Sequence, residues 1–326
     1  MTSDISKRAA VMVADRMPEA VGLGTALVDL IDDPESFVRV LREGLERLSD
    51  AQYAAEQSRV APGSGAIIGV RWPFVHAVQR QLKRPLEEGS SASALWLAQR
   101  LAVEDLRELR SMALTPLART LPDDPERSWQ VLRRLGRAAN DWICVDTMAS
   151  LVATGIILEP YRWAELEQLV YSESQWERRL VGATVARMPF EVPTRLRGTL
   201  DASRGLMLIK SLMGDRVPSV QKALSWALRE WIHVDREAVG GMLTEETDVA
   251  LANDDGHRAW VIRDALSAQP ATLAQELRKR LAGIRRRPGA PSTSAAGKEA
   301  ARFLSMIDQT DRAVAEQGER MARAAR

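Results

Sequence analysis

Apolar residues recur at three- and four-residue spacing along almost the whole chain, while period-two alternation rich in Val, Ile and Tyr is nearly absent. That pattern confines the fold to helix packed on helix, because a 3.6-residue period gathers the apolar side chains on one helical face. From Glu126 the rhythm is regular. Helices are expected over 126–138, 140–154, 160–171, 173–187, 191–201, 203–213, 218–231, 235–243, 244–252 and 255–267, with breaks at Gly155, Ser172, Pro189, Pro193, Gly214-Asp215 and Pro218. The class is all-α, and helices paired at a period of about 40 residues suggest, through a repeat that is weak in sequence, a HEAT-like helical-repeat solenoid with a concave face left open for binding.

Upstream, Asp33-Pro34-Glu35 supplies a cap, a first-turn proline and a favourable acid for a helix running through Phe37 to Leu48. Val60 to Ala66 reads as a loop, Pro73 starts the next helix, and Lys83 to Ser93 reads as a break. A helix is expected from Ala94 to about Leu106, and another to Thr120, bent or ended near Pro116. The expected organisation is an N-terminal helical segment (1–34), a helical-repeat domain (35–287), a flexible linker (288–297) and a C-terminal helical tail (298–326). Pro288 to Gly297 is small, polar and proline-containing, which suits a linker. The tail carries a short apolar stripe, Phe303, Leu304, Met306 and Ile307.

Charge and cysteine usage narrow the function classes. A net charge of +1 over 326 residues gives no global basic field, so a polyanion would have to be met by a local patch. Six basic residues concentrate in Arg278-Lys279-Arg280 and Arg285-Arg286-Arg287, either a solvated surface or a phosphate-contacting arm. Cys144 is the single cysteine, so no internal disulfide forms and a reducing, cytoplasmic setting is expected. His76, His233 and His257 are scattered, giving no metal-ligand spacing; no metal and no cofactor are expected. No apolar run is long enough for a membrane span, so no membrane partner is expected, and a monomer is the simplest assembly.

Three segments carry chemistry-bearing residues. In 140–149, Trp142 and Asp146 are four residues apart, so a helix stacks an aromatic plane above a carboxylate, a pairing suited to a cation. The plainer alternative is a core Trp and an Asp paired with a neighbouring Arg. Cys144 between them reads as a small buried hydrophobe rather than a nucleophile, since no His lies near it in sequence. In 174–183, Arg178 and Arg179 stand one turn into a helix. In 215–231, Lys222, Trp226 and Arg229 share a face, which suits stacking on a base or sugar with phosphates held on either side. Any one of these tryptophans, taken alone, is as well explained by a core.

Together the three segments, Trp-x-x-x-Asp, Trp-x-Arg-Arg and Gln-Lys-Ala-x-x-Trp-x-Leu-Arg-Glu, resemble the AlkD-type alkylpurine DNA glycosylases of the HEAT-like DNA alkylation repair family. Gly69-Val70-Arg71-Trp72-Pro73 and Leu101 to Arg110 are similar to that family's N-terminal repeats, so the resemblance spans roughly residues 35 to 270. It implies that Trp142, Asp146 and Trp226 occupy the catalytic cleft and that Arg179 contacts DNA, with Arg178, Lys222 and Arg229 as further DNA-binding candidates. The chain departs from the family pattern at Asp141, where an aromatic is common, and at Ile143, where an acid is common. Pro218 is a further departure at the start of the Trp226 helix.

The chemistry implied is excision of N3- or N7-alkylated purines from double-stranded DNA, the base-release step of excision repair. Such a base is already cationic and leaves as a neutral molecule, so one carboxylate without a general acid suffices; a preorganised anion favours the positive charge gathering at C1′. Two other readings stay open from the residues. One is a DNA-binding HEAT-repeat protein without turnover. The other is a protein-interaction scaffold whose concave face takes a peptide or helix.

Overall fold

The computed structural model describes residues 2–63, 65–300 and 302, with side chains from residue 9. The apolar stripe expected at 303–307 lies outside the described residues. Among the described residues there is no β-strand, and the fold is all-α, as the 3.6-residue periodicity predicts, with its helices stacked as a repeat. The chain divides into two compact units, Met1–Pro160 and Tyr161–Arg326.

The first unit contains α1 (Thr2–Val28), α2 (Pro34–Arg47), α3 (Ala51–Val60), α4 (Trp72–Glu88), α5 (Ser91–Ala102), α6 (Arg107–Met112), α7 (Leu114–Thr120), α8 (Pro125–Ala138) and α9 (Trp142–Leu158). Two rows run through it: α1, α4, α7 and α9 pack successively in one, and α2, α5 and α8 in the other. Starts follow the sequence signals. Asp33 and Asp124 cap α2 and α8 through the amides of Ser36 and Arg127, each with proline at the first helical position, where no N–H is missed.

The second unit contains α10 (Trp163–Gln168), α11 (Gln175–Glu191), α12 (Ala202–Leu212), α13 (Pro218–Trp231), α14 (Arg236–Ala252), α15 (Gly256–Ala265) and α16 (Ala271–Arg280). Here the repeat is plain. α11, α13 and α15 pack in one layer and α12, α14 and α16 in the other, so each pair of helices is one unit of the stack. The closest approach is α11 on α13, where a Cβ on Gly182 would stand 2.9 Å from that of Ala223.

Several expected boundaries shift, each for a physical reason. Gly155 lies inside α9, where its missing side chain admits the Trp129 ring; a Cβ would sit 2.8 Å from Cζ3. Pro189 lies in the last turn of α11, and α4 continues through Pro85 to Glu88 where a break was expected from Lys83. The two helices expected over 235–252 are one, α14, capped by Asp235 on the Ala238 amide. The 288–297 segment is no free linker: Thr293 N–H donates to the Gly214 carbonyl at 3.0 Å, and Ser294 and Ala296 are buried. Its small residues and hydroxyls, which read as flexibility, are what close backbone packing requires. Residues 295–300 then turn helical.

Candidate functional site

In the first unit, α9 begins at Trp142 because Asp141 caps it. Asp141 Oδ1 accepts the N–H groups of Ile143 and Cys144 at 2.7 and 3.0 Å, and Oδ2 accepts the Cys144 thiol at 3.1 Å. This carboxylate is fully buried and committed to the helix terminus. The departure from an aromatic at this position is therefore a capping choice that sets where Trp142 points. Burial first, then the charge and hydrogen bond of Asp141, push the Cys144 thiol up to about 12. A thiol so held is not a nucleophile near neutral pH.

Trp142 keeps 37% of its surface exposed, and its indole Nε1 donates to the Val60 carbonyl at 3.2 Å. Val60 ends α3 and opens a loop whose far end is fixed by Glu108, a buried carboxylate on α6. Glu108 accepts three consecutive backbone N–H groups, from Ile68 at 3.1 Å, Gly69 at 2.8 Å and Val70 at 3.3 Å. Arg107 N–H donates to the Ala66 carbonyl beside them. Asp146, half-buried, follows Trp142 by one turn on the same face of α9. Trp142 and Asp146 thus stand one helical turn apart on α9.

In the second unit the expected DNA-binding residues divide into committed and available. Arg178 faces the protein's own acceptors: its Nε donates to Asp215 at 2.7 Å, and an Nη donates to the carbonyls of Ser172 and Glu173 at 2.8 and 2.9 Å. It ties the start of α11 to the turn before α13. Arg179 is buried, with an Nη donating to the Ser219 carbonyl near the start of α13. On α13, Trp226 is half-buried, and Arg229 is ion-paired with Asp264 on α15. Lys222, one turn before Trp226, is exposed and has no ion pair among the described residues. Pro218, unexpected from the resemblance, occupies the first position of α13, where proline is at no disadvantage.

Sequence reading missed the anchors rather than the display residues. Asp141 could have been found from the Asn-Asp-Trp cap signature. Glu108 and Asp215 could not, because their partners are backbone amides or an arginine distant in sequence. Among the described residues no group of three or more His, Cys, Asp or Glu could hold a metal ion, and no helix is long and apolar enough to cross a membrane.

The family model described as DNA alkylation repair enzyme matches residues 41–268. Among solved structures, a predicted DNA alkylation repair enzyme from Enterococcus faecalis is similar in fold, with a TM-score of 0.50 at 16% identity, covering 60% of this chain and 89% of that one. No curated protein matches the sequence.

Proposed function

The chain belongs to the DNA alkylation repair enzyme family, and from that premise we propose that it is a monofunctional DNA glycosylase releasing cationic N3- and N7-alkylated purines from duplex DNA. The observation that carries the reading is the opening of α9, where an exposed indole held by Val60 stands one turn from a half-buried carboxylate. Such a pair attracts positive charge through the ring quadrupole and through Coulomb force together.

In the proposed reaction the C1′–N bond breaks and its electron pair returns to the purine, cancelling the positive charge that alkylation put there. The base departs neutral, so no group need protonate it. Positive charge passes to the deoxyribose, and Asp146 stabilises it while orienting the water that adds to C1′. Trp142 lays its aromatic face against the cationic nucleotide, and Trp226, on the other unit, offers an aromatic surface to the bound DNA. Of the four basic candidates, Lys222 has no ion pair among the described residues and offers its ammonium to a phosphate; Arg179 and Arg229 act from positions already oriented by the protein, and Arg178 supports them structurally.

The test is release of N7-methylguanine and N3-methyladenine from alkylated duplex DNA. Wild type is expected to exceed the spontaneous rate, and Asp146→Asn to lose about 100-fold, the scale of removing one preorganised electrostatic stabiliser. Wild-type release at the spontaneous rate would sink the enzyme assignment. Salt-dependent DNA binding with no release would point instead to a binding protein without turnover.

A further inference from the structure

A cavity of about 490 Å³ in the second unit, lined by Arg216, Val217, Pro218 and His257 together with residues 286–290, is not accounted for by the site above. Its walls carry Arg216, Arg286 and Arg287 and no carboxylate. Arg287 is neutralised by Asp254. The other two guanidiniums are not. Arg216 is exposed and has no ion pair among the described residues. Arg286 donates to a neutral amide oxygen, Gln221 Oε1, at 3.0 Å and lies 5.2 Å over the Trp260 ring.

The pocket is built rather than incidental. Gln221 is fully buried, and with its oxygen taken by Arg286 its amide nitrogen donates to the Asp215 carbonyl at 2.6 Å and to His257 Nδ1 at 3.2 Å. That assigns His257 the tautomer with the proton on Nε2, which donates to the Ala290 carbonyl at 3.2 Å. Arg287 to Ala290 closes as a turn, with Ala290 N–H on the Arg287 carbonyl, proline second and a left-handed Gly289 (φ 76°) third. α13 begins at the wall with no side-chain cap, so the positive end of its dipole adds to the two free guanidiniums.

We propose that this pocket is a binding site for one phosphate group. Two arginines with no carboxylate partner among the described residues, one stacked and one exposed, match the chemistry by which guanidinium recognises phosphate. The occupant is a backbone phosphate of DNA, a source that rests on the glycosylase-family reading, or a free phosphate anion, which does not. One wall of the pocket, residues 286–290, lies beyond the residues matched by the family model; Arg216, Val217, Pro218 and His257 lie within them.

Arg216→Ala is the primary variant, because that exposed side chain makes no hydrogen bond or ion pair among the described residues. Arg286→Lys keeps the charge and removes the planar, stacked fork. Affinity for an undamaged duplex is measured against salt, and thermal midpoints are taken with inorganic phosphate against chloride at equal ionic strength. If DNA supplies the phosphate, Arg216→Ala weakens duplex binding about 3- to 10-fold and lowers the slope of log K against log salt by about 0.9; Arg286→Lys weakens binding without that change in slope. If the anion is free, duplex binding is unchanged, and phosphate raises the midpoint of wild type but not of Arg216→Ala. A wild type that binds no DNA yet shows the phosphate shift defeats the DNA reading and leaves the pocket standing. Wild type and Arg216→Ala agreeing in both measurements overturns the site.

Discussion

Cys144 meets a carboxylate at 3.1 Å rather than a base, and the same Asp141 caps the helix beneath it. The unfolded thiol ionises near 9.0 and the folded one at about 12. The native state therefore keeps a proton that the unfolded chain gives up, and this contribution to stability is whole below about 9 and lost as pH climbs to about 12. Wild type should lose stability across that window more steeply than Cys144→Ala, in denaturant titrations at stepped pH. At pH 8 a thiol reagent should label the folded protein roughly a thousandfold more slowly than the unfolded one. The inertness of Cys144 was legible from the absence of a nearby His. Its cause was not, since Asp141 stood out in sequence as a departure rather than as a cap.

Helices are where sequence patterning speaks most clearly, and glycine is where it misleads. Glycine lowers helix propensity by about 1 kcal/mol, and Gly155 reads as a break for that reason, yet it lies inside a helix, as Gly205 and Gly241 do within helices that were expected. What separates them is packing. A Cβ on Gly205 would run into the fully buried Trp231 ring, whereas one on Gly241 meets nothing within 4 Å. Gly205→Ala should therefore destabilise by about 1–3 kcal/mol, the overpacking term exceeding the propensity gain. Gly241→Ala should stabilise by about 0.5–1 kcal/mol. Chemical denaturation of the two variants beside wild type checks both signs. The start of α2 was readable because its cap and proline are local; the merger of 235–252 into α14 was not, because nothing in those residues records which neighbours they meet.

For the molecule as a whole, composition identified the right class and misjudged the end of the chain. The 288–297 segment is docked through Thr293 on Gly214, with Ser294 buried, in place of a free tether. Elastase, which favours small residues, should leave 288–297 intact under native conditions and cut it once Thr293→Pro removes the amide that donates to Gly214; mass spectrometry of the fragments reads the outcome. The all-helical character was legible from periodicity and the Trp142–Asp146 spacing from a helix, but the repeat was only faint in the sequence and the anchoring network could be seen only in three dimensions. Glu108 shows what such anchoring entails. Because one carboxylate grips three successive amides, removing the Glu108 side chain would strand three backbone donors at once. The segment that leads into α4 is thus secured at a single point, so one substitution on α6 reaches backbone some forty positions earlier in the chain.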